Sequence, residues 1–143
     1  MRPFQIVVDT NVLDSALRSR RGASFRLLSN IGVNTTFEIN LSVPLVLEYE
    51  AVAKRHLGSS GLTAQDVDDG VDYMCSIANK HDIFFLWRPI LKDPKDDMVL
   101  ELAVAGNCDL IDTFNIKDLA AAEQFGIKVV GPRDFLREIG EIP

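Results

Sequence analysis

Asp9, Glu48, Asp97 and Asn115 lie far apart in the chain, yet Asp9 ends a short apolar strand and each of the others falls near a point where the chain should return to that same edge. Their oxygens are hard ligands of the kind Mg²⁺ and Mn²⁺ prefer; these ions keep several waters and use a few carboxylates. Two such ions about 3.5–4 Å apart can activate a water and stabilise a leaving oxygen in phosphodiester cleavage. Without a cation, acids gathered this closely would repel and raise one another's pKa values. The pattern therefore points to a site for divalent metal, provided the fold brings the four positions together.

The segment Phe4-Gln5-Ile6-Val7-Val8 reads as a strand buried on both faces, which sets Asp9 at its carboxyl end, where open α/β sheets bind ligands. Further strand-length apolar runs fall at Phe37–Leu41, Ile83–Trp87, Asp109–Thr113 and Ile127–Val130, with helical spacing between them. One helix should follow Asn11. Others cover Ala23–Asn30, Val43 to about Leu57, Ala64–Asn79, Asp96–Ala105 and Ile116–Phe125, and Pro132 opens a last one at Arg133–Glu138. Such alternation predicts a single α/β domain over residues 1–143, its mainly parallel sheet covered by helices. Leu57-Gly58-Ser59-Ser60-Gly61-Leu62 is a hinge between helices, not a domain boundary, and no repeat or low-complexity tract divides the chain.

Each candidate also has a structural use. Asp9 or Asn11 can cap the helix that follows, while Thr10 and Asn11 offer small polar groups to a phosphate, a water or a metal shell. Glu48 sits at the border of the apolar stripe formed by Leu45 and Tyr49. In Asp93-Pro94-Lys95-Asp96-Asp97, Asp93 reads as a cap, Pro94 as the first helical residue, and Asp96 as a partner folding back in a capping box. Asp97 is not needed for capping and is the better candidate to face a crevice. Asp96 competes with it, because Val99, Leu100 and Ala103 share its side of a helix. Asn115 with Asp118 makes a plausible helix start, and Thr113 can serve both cap and site.

With 143 residues, 47% of them hydrophobic, the chain suits one domain with a substantial core. Its net charge of −6 argues against a broad basic coat for nucleic acid. The charge is uneven, with seven basic and five acidic residues in 1–55 against eight and sixteen in 56–143. The basic run Arg18-Ser19-Arg20-Arg21-Gly22, with Arg26 beyond it, can hold a phosphate backbone. The two cysteines, Cys75 and Cys108, form no disulfide framework or zinc pattern. With no leader and no apolar run of bilayer length, a cytoplasmic protein without a membrane partner is expected. His56 and His81 have no serine or cysteine motif beside them and read as surface residues.

Val7-Val8-Asp9-Thr10-Asn11-Val12-Leu13, Leu45-Val46-Leu47-Glu48-Tyr49-Glu50, Asp93 to Ala103, and Asp109-Leu110-Ile111-Asp112-Thr113-Phe114-Asn115 together resemble the PIN domain family, and within it the VapC-like ribonuclease toxins of toxin–antitoxin systems. The resemblance spans nearly the whole chain and implies a three-layer, Rossmann-like α/β/α domain that binds Mg²⁺ or Mn²⁺ and cleaves single-stranded RNA. On that analogy Asp9, Glu48 and Asp97 are ligands and Asn115 completes the set, with Thr10, Asn11, Asp96 and Thr113 in support. Arg18, Arg20, Arg21 and Arg26 would contact RNA, a homodimer is expected, and an antitoxin would be the protein partner. Many family members carry a fourth Asp where this chain has Asn115, a neutral ligand that holds a second cation less well. Strand alternation turns Asp112 away from Thr113, so it is poorly placed to compensate. Weak or one-metal activity is one consequence; a catalytically inactive module that docks RNA or protein is the alternative. A haloacid-dehalogenase-type phosphatase would want an Asp where Asn11 stands.

Overall fold

In the computed structural model, which describes residues 2–83 and 91–143, the described strands form one sheet in the order β3-β2-β1-β4-β5, and every pairing is parallel. The strands are β1 (Phe4–Val8), β2 (Phe37–Leu41), β3 (Asn79–Lys80), β4 (Leu110–Asp112) and β5 (Lys128–Val130). The helices are α1 (Thr10–Arg18), α2 (Ala23–Asn30), α3 (Val43–Arg55), α4 (Ala64–Ile77), α5 (Pro94–Ala105) and α6 (Pro132–Glu138), with a 3₁₀ helix over Ala120–Phe125.

Strand β1 lies at the centre because it can be buried on both sides: Ile6 and Val7 are 0% exposed and Val8 is 2% exposed. It pairs with β2 on one edge, Ile6 opposite Ile39, and with β4 on the other, Val8 opposite Asp112. The chain builds β2 and β3 on one side of β1, then crosses to build β4 and β5 on the other. The sheet thus has its topological switch point beside β1, and a crevice opens at the carboxyl ends of the strands there. Helix α5 packs over β1, β2 and β4, while α1 packs against α2 and α3.

The helices end where local chemistry requires. Ser42 caps α3 by accepting from the Leu45 N–H at 3.3 Å, with Pro44 in the first turn. Thr63 and Asp66 close a reciprocal capping box on α4. Asp93 caps α5 by accepting from Lys95 N–H at 2.9 Å. Gly126, at φ 77°, supplies the left-handed turn that takes the 3₁₀ helix into β5. At the far end of the sheet Phe135 of α6 is fully buried and meets Phe4 and Phe37 edge-on, with centroids 6.2 and 5.3 Å away.

Several expectations change. Of the strand expected at Ile83–Trp87, Ile83 lies outside any strand and the rest falls outside the described residues; among the described residues the outermost strand beside β2 is the short β3, which follows α4. The helix expected over Ile116–Phe125 is a turn followed by a 3₁₀ segment, because Asn115 and Asp118 do not open an α-helix. Asp96 does not fold back on Asp93 in a capping box; its own N–H bonds the Asp93 carbonyl at 3.0 Å and its side chain turns inward. His56 and His81 are part-buried rather than surface groups, their Nε2 atoms 2.7 Å from Asp14 Oδ1 and Asn40 Oδ1 respectively.

Candidate active site

Asp9 occupies the crevice at the end of β1 and is 5% exposed. One carboxylate oxygen accepts the Thr10 N–H at 2.8 Å, so Asp9 does cap α1, and the other accepts the Thr113 hydroxyl at 2.8 Å. Capping thus leaves the Asp9 carboxylate in the crevice and is compatible with a role there. Burial holds the Asp9 carboxyl above its usual pKa, against the opposing pull of the bonds from Thr113 and Thr10. Thr113, at the end of β4, is the organising hydroxyl: its oxygen also accepts from Asn11 Nδ2 at 3.2 Å and from the Asn115 N–H at 2.9 Å. Asn11 in turn accepts the Phe114 N–H at 3.3 Å, which ties α1 to the loop after β4.

Glu48, on α3, reaches the same edge, its side chain 21% exposed. Thr10 Oγ1 donates to Glu48 Oε2 at 3.4 Å, and Lys95 Nζ stands 3.8 Å from Oε1. The next residue of α3, Tyr49, is buried, and its hydroxyl donates to the carbonyl of Val8. Burial, then the charges of Asp9, Asp112 and Glu48, raise the Tyr49 pKa, so the phenol remains a neutral donor that pins the end of β1. Nothing in the sequence pattern distinguished Tyr49 from an ordinary core aromatic.

The two neighbouring acids of α5 behave differently. Asp96 is 8% exposed and its carboxyl is pushed up to about 6, by burial first and then by the charges of Asp9, Asp93, Asp118 and Asp97. Asp97 is part-exposed and accepts the Leu91 N–H at 2.9 Å, buttressing the chain that enters the helix. Asp96, with Val99, Leu100 and Ala103 buried on its side of α5, is thus an inward-turned acid that feels the charge of Asp9. The side chain of Asn115 is exposed at the rim. Asp112 is 0% exposed, neither oxygen has a hydrogen-bond partner among the described residues, and burial, with the charge of Glu138, pushes its pKa well above the usual range.

An open cleft of about 480 Å³ adjoins these groups, lined by Thr10, Asn11, Asp14, Arg18, Glu48 and Lys95 among others. Arg18 therefore belongs to the cleft. Arg20, Arg21 and Arg26 do not: they line a separate concavity with Arg133 and Arg137 of α6. Among the described residues no three His, Cys, Asp or Glu side chains close into a ready-made metal cage. The donor set still fits a hard cation, which takes one or two carboxylates and keeps its waters. Two buried acids held above their ordinary pKa values are also what a nearby positive charge would relieve.

A model of the PIN domain matches residues 5–117. The chain belongs to the PIN domain family. Among solved structures, this PIN domain is similar to a chain of VapBC2 from Rickettsia felis, in a crystal structure bound to a DNA fragment from their promoter. The TM-score is 0.56 with 14% identity, over 88% of this chain and 98% of that one, so the likeness is one of fold. No curated protein matches the chain. No described helix is long and apolar enough to cross a membrane.

Proposed function

We propose that this PIN domain is an endoribonuclease dependent on Mg²⁺ or Mn²⁺ that hydrolyses phosphodiester bonds of single-stranded RNA. The observation that carries this reading is the buried Asp9 at the switch point, fixed by Thr113 and Thr10 and sharing its field with Asp96. Asp9, Asp96 and Glu48 are the acids assigned to the metal, Asp96 taking the place that sequence reasoning gave to Asp97. Asn115 stands at the rim as a neutral oxygen donor. A bound cation would neutralise these carboxylates and lower the pKa of an attacking water.

The protein's own groups have separable tasks. Thr113 and Thr10 orient the Asp9 carboxylate, Tyr49 fixes the backbone beneath it, and Arg18 and Lys95 face the cleft where a phosphate would lie. The fold shared with VapBC2 supports the reading of a toxin of a toxin–antitoxin pair, with an antitoxin protein as partner; a homodimer is the assembly we propose for it. Cleavage of a labelled single-stranded RNA with Mn²⁺ tests the assignment: Asp9→Asn and Asp96→Asn should abolish it while leaving the circular dichroism spectrum intact. Undiminished cleavage by either variant would sink it. Asn115 and the net charge of −6 favour a second reading, a catalytically inactive module. Tight RNA binding by the parent protein with no turnover would select that module.

A further inference from the structure

On the face where α2 packs against α6, away from the acidic cleft, a concavity of about 650 Å³ is walled by Arg20, Arg21, Arg26, Arg133 and Arg137. That is a third of the fifteen basic residues of a chain whose net charge is −6. Arg26 is engaged by Glu141, through the backbone oxygen at 2.9 Å and the carboxylate at 3.5 Å, and Arg137 reaches Asp134 at 3.6 Å. Arg20, Arg21 and Arg133 are exposed and make no salt bridge among the described residues. Arg137 also donates to the Pro143 oxygen at 3.3 Å; gathering Arg20, Arg21 and Arg133 without carboxylates of their own still costs self-repulsion, which a polyanion would relieve.

We propose that this concavity is a second contact surface for the same single-stranded RNA, gripping phosphates of nucleotides beyond the cleaved bond; the inference rests on the nuclease reading. Three features favour RNA over an acidic protein segment. Arg18, paired with Asp14 at 3.0 Å, lines the acidic cleft and Arg20 and Arg21 line the concavity, so the residues at the end of α1 connect the two. The planar guanidinium fork matches phosphate oxygens, and arginine walls that supply most of the charge suit a repeating backbone. Phe25, 37% exposed among them, offers a ring on which a base can stack. Helix α1 spans about 14 Å at 1.5 Å per residue. A tetranucleotide centred at Asp9 therefore reaches at most the edge of the concavity, and a dodecanucleotide extends across it.

Fluorescence anisotropy with a tetranucleotide and a dodecanucleotide RNA, in EDTA so that neither is cut, tests this. The parent should bind the dodecamer at least tenfold more tightly than the tetramer at ~0.1 M salt. The Arg133→Ala/Arg137→Ala double variant should lose most of that difference, with tetramer affinity equal to the parent's. The slope of log affinity against log salt should fall by about 1.4, two contacts at about 0.7 each for a single strand. Arg20→Ala/Arg21→Ala, on the opposite wall, is the matching variant should the first pair fail to fold. Equal affinity for both lengths, an unchanged salt slope, or a polyglutamate peptide bound more tightly than RNA at these arginines would overturn the proposal. Cleavage is read separately: a parent that shows this length and arginine dependence yet cuts nothing supports the surface and overturns the nuclease assignment.

Discussion

Replacing Asp96 by Asn should make the metal-free protein more stable at neutral pH while destroying its proposed activity. Asp96 is 8% exposed, and its carboxyl is raised from 3.8 to about 6 by burial and by the charges of Asp9, Asp93, Asp118 and Asp97. The folded protein thus holds this proton more tightly than the unfolded chain does. The cost of ionising it is absent well below pH 3.8, grows as pH rises, and is fully incurred above about pH 6. That difference corresponds to about 3 kcal/mol at pH ~7.5, roughly half of it present by pH ~5. Salt at ~0.15 M screens the exposed Asp93 and Asp118, so the gain from Asp96→Asn should lie between about 1 and 3 kcal/mol. Urea unfolding of both proteins in EDTA at several pH values between ~4.5 and ~7.5 measures it. A variant no more stable than the parent at the upper pH, or a gap that does not widen with pH, would refute the electrostatic reasoning. Repeating the measurement with Mn²⁺ in place of EDTA should stabilise the parent and leave the variant unmoved, since only a ligand bound to the folded state shifts the midpoint.

Thr113→Val removes the hydroxyl that donates to Asp9 and accepts from Asn11 and Asn115, and should cost about 1–3 kcal/mol in urea unfolding. It should also lower the rate of RNA cleavage, and Thr113→Ser should restore both; a rate unaffected by Thr113→Val would show that Asp9 needs no such orientation. Asp112→Val replaces a fully buried carboxyl, without hydrogen-bond partners among the described residues, by an apolar side chain suited to a strand, and should stabilise the protein by about 1–3 kcal/mol. Because the pKa of Asp112 is raised, the benefit should be larger at pH ~8 than at pH ~4.5; thermal melts showing the reverse order would contradict this.

The central strands were legible because apolar residues mark them: β1 ends in the buried run Ile6-Val7-Val8, β2 alternates Phe37, Ile39 and Leu41 with Glu38 and Asn40, and both occur over the very residues that the pattern marks. Helices with clear stops, such as α2 between Gly22 and Ile31, were equally plain. The 3₁₀ segment was less so, since the spacing of Ala120–Phe125 does not by itself separate a 3₁₀ from an α-helix. At the site, Asp9, Thr113 and Asn11 could be named from strand ends alone. The choice between Asp96 and Asp97 could not be made from capping rules, because the position that a capping box would use is also the one on the buried side of α5. Periodicity favoured Asp96 and capping favoured Asp97, and burial follows periodicity. Tyr49 and the pairing of Arg133 and Arg137 with the α1–α2 arginines depend on contacts between distant segments, which local spacing does not encode.

The most direct test of the whole account is calorimetric titration of Mn²⁺ into the parent protein and into Asp9→Asn, Asp96→Asn and Asp97→Asn. Saturable binding by the parent, lost in the first two variants and largely kept in the third, is the predicted result. Binding that survives Asp9→Asn, or that vanishes with Asp97→Asn while Asp96→Asn retains it, would contradict the assignment of the metal to Asp9 and Asp96.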